Sequence, residues 1–309
     1  MCSIIPLLLL SVSLTKATVL PRADVTLAVK PVCGSFGGSP KDVKGTLPAL
    51  SAFKTIVTFG DSYSDGGKYD GSALNDPVLH PPNPSAGGRY TNGPIWAEYL
   101  ANTTGAVLMD YAVSGQVVIL TRHFSKHLYF PYQKNDPATT LHILFFGIDI
   151  LSSSSGRFTY LALSCVRNGD SSLSNQAGNI AYTILRLSSS PVFGKNFLVI
   201  DNHGRGTETP AGAAYKTELF KELSSLSASS YGLSIGFIDL STVWNGVLGT
   251  SPGAAAFGYT STNPCLASPA TTIGSCVDPD HAFYWFPLNP TTATHRIMSD
   301  YIQAVWVQC

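Results

Sequence analysis

The sequence predicts an α/β fold, a mainly parallel sheet covered by helices on both faces. Three observations carry this expectation. Short apolar runs rich in β-branched and aromatic residues recur along the chain, which is the pattern of buried strands. Amphipathic helical stretches alternate with them, as parallel sheets require. Several runs end in Gly, Asp, Ser or Asn, polar residues at the carboxyl edge where α/β sheets hold their ligands.

Composition bounds the rest. The 309 residues are 44% hydrophobic and 12% charged, enough for one sizeable core in one or two domains. Lys+Arg 19 balance Asp+Glu 19, so charge makes no case for nucleic acid or acidic membranes as partners. Met1 to Ala17 reads as a secretory signal with its apolar centre at Ile4 to Val12. No later run reaches the ~18–20 apolar residues of a spanning helix, so the expectation is a secreted, extracellular chain. Residues 18–53 mix Pro, Gly, Ser and Lys without periodicity and read as an irregular segment. Residues 54–309 read as the folded domain.

Once Cys2 leaves with the signal, Cys33, Cys165, Cys265, Cys276 and Cys309 remain. Cys265 and Cys276 bracket a short polar loop and are the pair to join first. Neither CxxC nor Cys/His zinc spacing occurs, and no metal or other cofactor is expected. Asn102-Thr103-Thr104 is a glycosylation sequon, in keeping with secretion.

In chain order, Ile56, Val57 and Phe59 form the first strand candidate, ended by Gly60-Asp61-Ser62. Gly66 to Gly88 is a long polar loop expected beside Ser62. Asn92 and Pro94 are helix-start residues for a helix in which Ile95, Tyr99 and Leu100 share a face. Trp96 reads as core. Val107–Tyr111 is a second strand, followed by Ser114-Gly115, and Leu141–Phe146 a third, running into Gly147-Ile148-Asp149. A helix over Ala177–Leu187 precedes the strand Asn196–Ile200, after which His203 reads as a loop histidine. Ala211–Ser229 is helical, with Leu219, Leu223 and Leu226 on one face, and Ser234–Leu240 is a fifth strand. Asp278-Pro279-Asp280-His281 and an aromatic run precede a last helix, about Thr291 to Trp306. Ala293, Ile297, Tyr301 and Val305 form its apolar face. Asn289 is a favoured N-cap for that helix and Pro290 suits its first position.

Taken together, these segments resemble the GDSL (SGNH) hydrolases, including the secreted carbohydrate (acetyl) esterases among them. Phe59-Gly60-Asp61-Ser62-Tyr63-Ser64-Asp65 resembles the first family motif, in which the serine is the nucleophile. Gly88-Arg89-Tyr90-Thr91-Asn92-Gly93 and Trp96 resemble the segment ahead of the family's first helix. Ser114-Gly115 resembles the second motif, whose glycine N–H serves the oxyanion. The resemblance implies a three-layer α/β/α, flavodoxin-like fold and hydrolysis of an acylated carbohydrate, without cofactor.

The chain also departs from that pattern. The third motif is Gly-x-Asn-Asp, with the asparagine amide as oxyanion donor. Here the asparagine is deleted before Asp149, or Asp149 stands in its place. An ionised aspartate cannot donate to an oxyanion. The final motif is Asp-x-x-His-Pro. Matched on the proline, Asn289 takes the place of the histidine that accepts the serine's proton, and Phe286 that of the aspartate. His281 and His295 are the nearby candidates for a replacement base. Three readings therefore stand: a GDSL-type esterase with a displaced base, a non-catalytic carbohydrate or lipid binder on the same fold, and a reading error or recent loss of the base in an otherwise active lineage.

Overall fold

The computed structural model describes residues 24–115, 135–146, 172–202, 205 and 209–309. Its main sheet holds β1 (Thr55–Gly60), β2 (Val107–Asp110), β3 (Thr140–Phe145), β4 (Asn196–Asp201) and β5 (Ser234–Asp239). All neighbours are parallel, in the order β2-β1-β3-β4-β5. This is the flavodoxin-like order, whose reversal point, and so its ligand crevice, lies between β1 and β3.

Alternation along each strand builds two cores. Ile56, Leu141, Ile143, Phe145, Leu198, Ile200 and Ile238 face one side. There they meet α1 (Trp96–Thr104), α4 (Ser241–Leu248) and α6 (Thr292–Gln308) through Trp96, Leu100, Trp244, Ile297, Tyr301 and Val305. Val57, Phe59, Leu144, Phe197, Val199, Ile235 and Phe237 face the other side. They pack on α2 (Ser172–Ser188) and α3 (Pro210–Ser227) through Ile180, Ile184, Leu219, Leu223 and Leu226. The three-layer arrangement follows from period two in the strands and period 3.6 in the helices. A one-turn helix, α5 (Ala254–Phe257), leads to a small second sheet. That sheet comprises β6 (Ser261–Pro264), β7 (Ala282–Phe286) and β8 (Asn289–Pro290), with β7 and β8 antiparallel.

The irregular N-terminal segment is tied into the domain. Val43 bridges Phe237 and covers the outer edge of β5. Buried Asp42 accepts hydrogen bonds from Tyr301 Oη (2.6 Å), Val32 N–H (2.8 Å) and Asp239 N–H (2.9 Å). Among the described residues two disulfides form, Cys33–Cys309 and the expected Cys265–Cys276.

Two cap assignments need correction. Asn289 does not cap the last helix. It pairs with Phe286 in the β7–β8 hairpin, and Thr291 is the N-cap, its Oγ1 accepting from Thr294 N–H. Nor does Asn92 start α1, whose N-cap is Ile95, with Glu98 reaching back to the Ile95 N–H at 2.9 Å. The Asn92 amide oxygen instead accepts from Thr292 N–H at 2.8 Å, at the head of α6. Both shifts have one cause: orphan N–H groups at a helix start are satisfied by whichever acceptor the tertiary fold brings.

Candidate active site

The turn after β1 carries Ser62. Ser64 N–H and Asp65 N–H both donate to Asp61 C=O at 3.0 Å, so the chain enters a tight turn directly at the strand end. Gly60 permits this, because a β-carbon there would lie 2.6 Å from Phe145 C=O and 2.8 Å from Ser64 Oγ. Ser62 is 8% exposed. Among the described residues, neither its N–H nor its hydroxyl is engaged in a hydrogen bond.

The β2 ladder continues past the strand end towards Gly115. Tyr111 N–H donates to Thr58 C=O (2.9 Å) and Val113 N–H to Gly60 C=O (3.0 Å). Gly115 has φ +78°, a left-handed conformation that glycine adopts without strain.

Two carboxylates that the sequence reading left without a role fix this geometry. Asp65 accepts from Gly67 N–H (Oδ1, 2.8 Å) and from Ser114 N–H (Oδ2, 2.7 Å), joining the serine turn to the glycine segment. Buried Asp110, at the end of β2, accepts from Thr58 Oγ1 (2.6 Å), Gly66 N–H (2.7 Å) and Ala112 N–H (3.0 Å). Burial pushes its carboxyl up to about 8, against the pull of these three donors. The signal for Asp65 was present, since it closes the motif that begins at Phe59. Its distant partner was not readable.

The hairpin carrying Asn289 also lies at the nucleophile turn. Tyr63 Oη donates to Leu288 C=O, and Leu288 is held at φ +68°. Asn289 Oδ1 is buried without a hydrogen-bond partner, while its Nδ2 makes a long contact of 3.4 Å with Pro287 C=O. Phe286 is buried in a small apolar cluster with Trp285, Leu266 and Cys265.

His295 is buried in the α1–α6 interface. Its Nδ1 accepts from Trp96 N–H at 3.3 Å, and its ring lies 6.3 Å from that of Tyr63. Burial alone pushes its pKa down to about 3. Its available lone pair already serves the start of α1. His281 ends a 3₁₀ turn, Pro279–His281, and pairs with Asp278 through Nδ1 at 3.1 Å. This is an Asp-x-x-His couple whose spacing was legible in the sequence. It stands at the opposite end of β7 from the hairpin, about 16 Å along five strand residues at ~3.3 Å each. The structure thus links the Ser62 turn to the hairpin carrying Asn289 through Tyr63 and Leu288, buries His295 against Trp96, and places His281 at the other end of β7. Asp149 and His203 lie outside the described residues.

A serine turn at the reversal point of a flavodoxin-like parallel sheet is the arrangement the fold presents. Residues 56–302 match the family described as GDSL-like Lipase/Acylhydrolase, and the chain belongs to that family. An acetylesterase of Hypocrea jecorina is 38% identical over 66 residues, 20% of this chain and 19% of that enzyme. Among solved structures, a Corynascus thermopiles (Myceliophthora fergusii) carbohydrate esterase family 2 enzyme with a carbohydrate-binding domain is 14% identical. It covers 85% of this chain and 67% of its own, with a TM-score of 0.44. A lipolytic protein of the G-D-S-L family from Veillonella parvula is 15% identical over 82% of this chain and 99% of its own, also at 0.44.

Proposed function

We propose that the chain is a secreted serine ester hydrolase that acts slowly on acetylated carbohydrate. Ser62 is the nucleophile, and the N–H groups of Ser62 and Gly115 receive the oxyanion. Family membership supports the ester chemistry. The acetylesterase relative supports the acyl group. The disulfides and the apolar N-terminal run support secretion. The observation that carries the reading is the serine turn itself: among the described residues the hydroxyl and N–H of Ser62 are uncommitted on the first turn past β1.

In the reaction the Ser62 oxygen bonds to the acyl carbon, its proton passes to the departing alcohol, and water later releases the acid. The slow step is removal of that proton. In a well-studied serine hydrolase, loss of the histidine costs about 10⁶ in turnover, or ~8 kcal/mol at 1.36 kcal/mol per decade. Oxyanion donors and binding alone still exceed water by ~10³–10⁴. Asn289 cannot accept a proton near neutral pH, and Phe286 cannot orient an imidazole. Turnover should sit near that residual level.

The test is p-nitrophenyl acetate hydrolysis by the wild type, Ser62→Ala and Asn289→His. The wild type should show slow turnover that Ser62→Ala removes. In the same reference enzyme, loss of the orienting aspartate costs ~10⁴ and loss of the histidine ~10⁶. Restoring an imidazole without its carboxylate should therefore recover about 10²-fold. Wild-type turnover unaffected by Ser62→Ala would overturn the assignment. The substituted pair Phe286 and Asn289 favours a second reading, a carbohydrate binder that keeps the cleft without the chemistry. Saturable binding of acetylated xylan, with no turnover in either the wild type or Asn289→His, would select it.

A further inference from the structure

We infer that Asn102 carries an N-linked glycan, and that this glycan guards the outer edge of the main sheet at β2. The inference rests on the secretion proposed above and adds a covalent modification and its purpose. In the modification the Asn102 amide nitrogen loses a proton and bonds to the anomeric carbon of an oligosaccharide. The donor is a lipid-linked oligosaccharide of the secretory pathway, and its lipid pyrophosphate is the leaving group.

The acceptor pattern is Asn-x-Ser/Thr with x other than proline. It occurs once in the 309 residues, at Asn102-Thr103-Thr104. Asn83-Pro84-Ser85 and Asn289-Pro290-Thr291 are barred by their middle proline. Asn102 and Thr103 are exposed on the last turn of α1. Gly105, at φ +68°, ends that helix directly afterwards. The cap is made by backbone: Asn102 C=O accepts from Gly105 N–H at 3.3 Å, and Ala101 C=O from Ala106 N–H at 3.0 Å. A saccharide on the Asn102 side chain therefore leaves the helix end as it is.

The same two hydrogen bonds turn the chain from the end of α1 into Val107, the first residue of β2. Val107 pairs with Thr55, the first residue of β1, whereas Ser62 lies just past the last. Six residues of β1 at ~3.3 Å each put about 20 Å between these two edges. A glycan at Asn102 thus leaves the serine edge open.

What it stands beside is β2, the outermost of the described strands of the sheet. Val107 is 65% exposed, and Leu108 and Met109 are half-buried. Val107 N–H and Tyr111 N–H point inward, to Lys54 C=O and Thr58 C=O, both at 2.9 Å. Alternation along the strand turns Leu108 N–H away from β1. An apolar edge with outward backbone groups is a template for pairing with another chain, and natural sheets blunt it with charge, proline or a cover. Val107-Leu108-Met109 has neither charge nor proline. A hydrated saccharide five residues before Val107 supplies the cover.

The experiment expresses the full chain in a glycosylating yeast and reads intact mass before and after digestion with peptide N-glycosidase. Wild type from the medium should lose the mass of one glycan. Asn102→Gln and Thr104→Ala should lack that mass from the start, and Thr103→Ala should keep it. Unmodified wild type in the medium, or a glycan that survives in Asn102→Gln, would overturn the site alone. Chain held only in the cytosol would overturn the secretion reading and the site with it. The guard is read by light scattering as the protein is concentrated. Asn102→Gln should begin to scatter at a lower concentration than wild type, with the same melting temperature. Adding Val107→Lys, a charge on the exposed edge, should return the onset towards the wild-type value. Equal onsets for Asn102→Gln and wild type, or no rescue by Val107→Lys, would overturn the guard.

Discussion

Asp65→Asn tests whether one carboxylate sets the spacing of the candidate site. In the native protein the two Asp65 oxygens each accept a backbone N–H, from Gly67 at 2.8 Å and from Ser114 at 2.7 Å. Asparagine has one acceptor and one donor. Whichever way its amide turns, one backbone N–H meets another N–H. A hydrogen bond to a charged group contributes about 1.5–3 kcal/mol, and a buried donor left unmade costs ~1–3 kcal/mol. These overlap, and a net loss of about 2–3 kcal/mol is expected. At ~2 °C per kcal/mol for a domain of this size, the melting temperature should fall by about 4–6 °C. Thermal melting by circular dichroism reads that number. Hydrogen exchange over the segment holding Ser114 and Gly115 should quicken, which a diffuse loss of stability would not produce selectively. Asp70→Asn is the control, because Asp70 makes a similar local turn with Ser72 on the exposed surface and should change stability by less than ~0.5 kcal/mol. If Asp65→Asn melts like the wild type and the Ser114 segment exchanges at its native rate, the clamp does not exist.

Two other outcomes follow from the same structure. The folded pKa of His295 is pushed down to about 3 from 6.5, so below pH 6.5 the unfolded chain binds the extra proton. Its contribution is complete above pH 6.5 and is lost as pH falls towards 3, at ~1.36 kcal/mol per pH unit. Denaturant melts should therefore lose about 2 kcal/mol between pH 6.5 and 5. His295→Asn, whose amide oxygen can still accept from Trp96 N–H, should flatten that acid limb; an unchanged limb would assign it to other groups. Separately, Arg89→Met should cost about 3–5 kcal/mol in urea unfolding, because it strands the Glu98 carboxylate that also holds the Ile95 N–H. A loss under ~1 kcal/mol would show that this ion pair is dispensable.

Sequence alone was enough to mark out the five strands and the principal helices, because burial on each is a local period. Ile56, Val57 and Phe59 announce a buried strand whatever lies beside them, and Leu219, Leu223 and Leu226 announce one helical face. Ser62 at a strand end and the Cys265–Cys276 pair were legible for the same reason, since both depend on short separations. Only the tertiary structure decided who meets whom across long ones. It gave Asn92 to the last helix rather than the first, closed the chain through Cys33 and Cys309, and set the carboxylate of Asp65 on Ser114. It also put His281 at the far end of β7 and buried His295 against Trp96. Periodicity tells a side chain which face to occupy. The partner waiting there is fixed by how the layers pack, which no local pattern encodes.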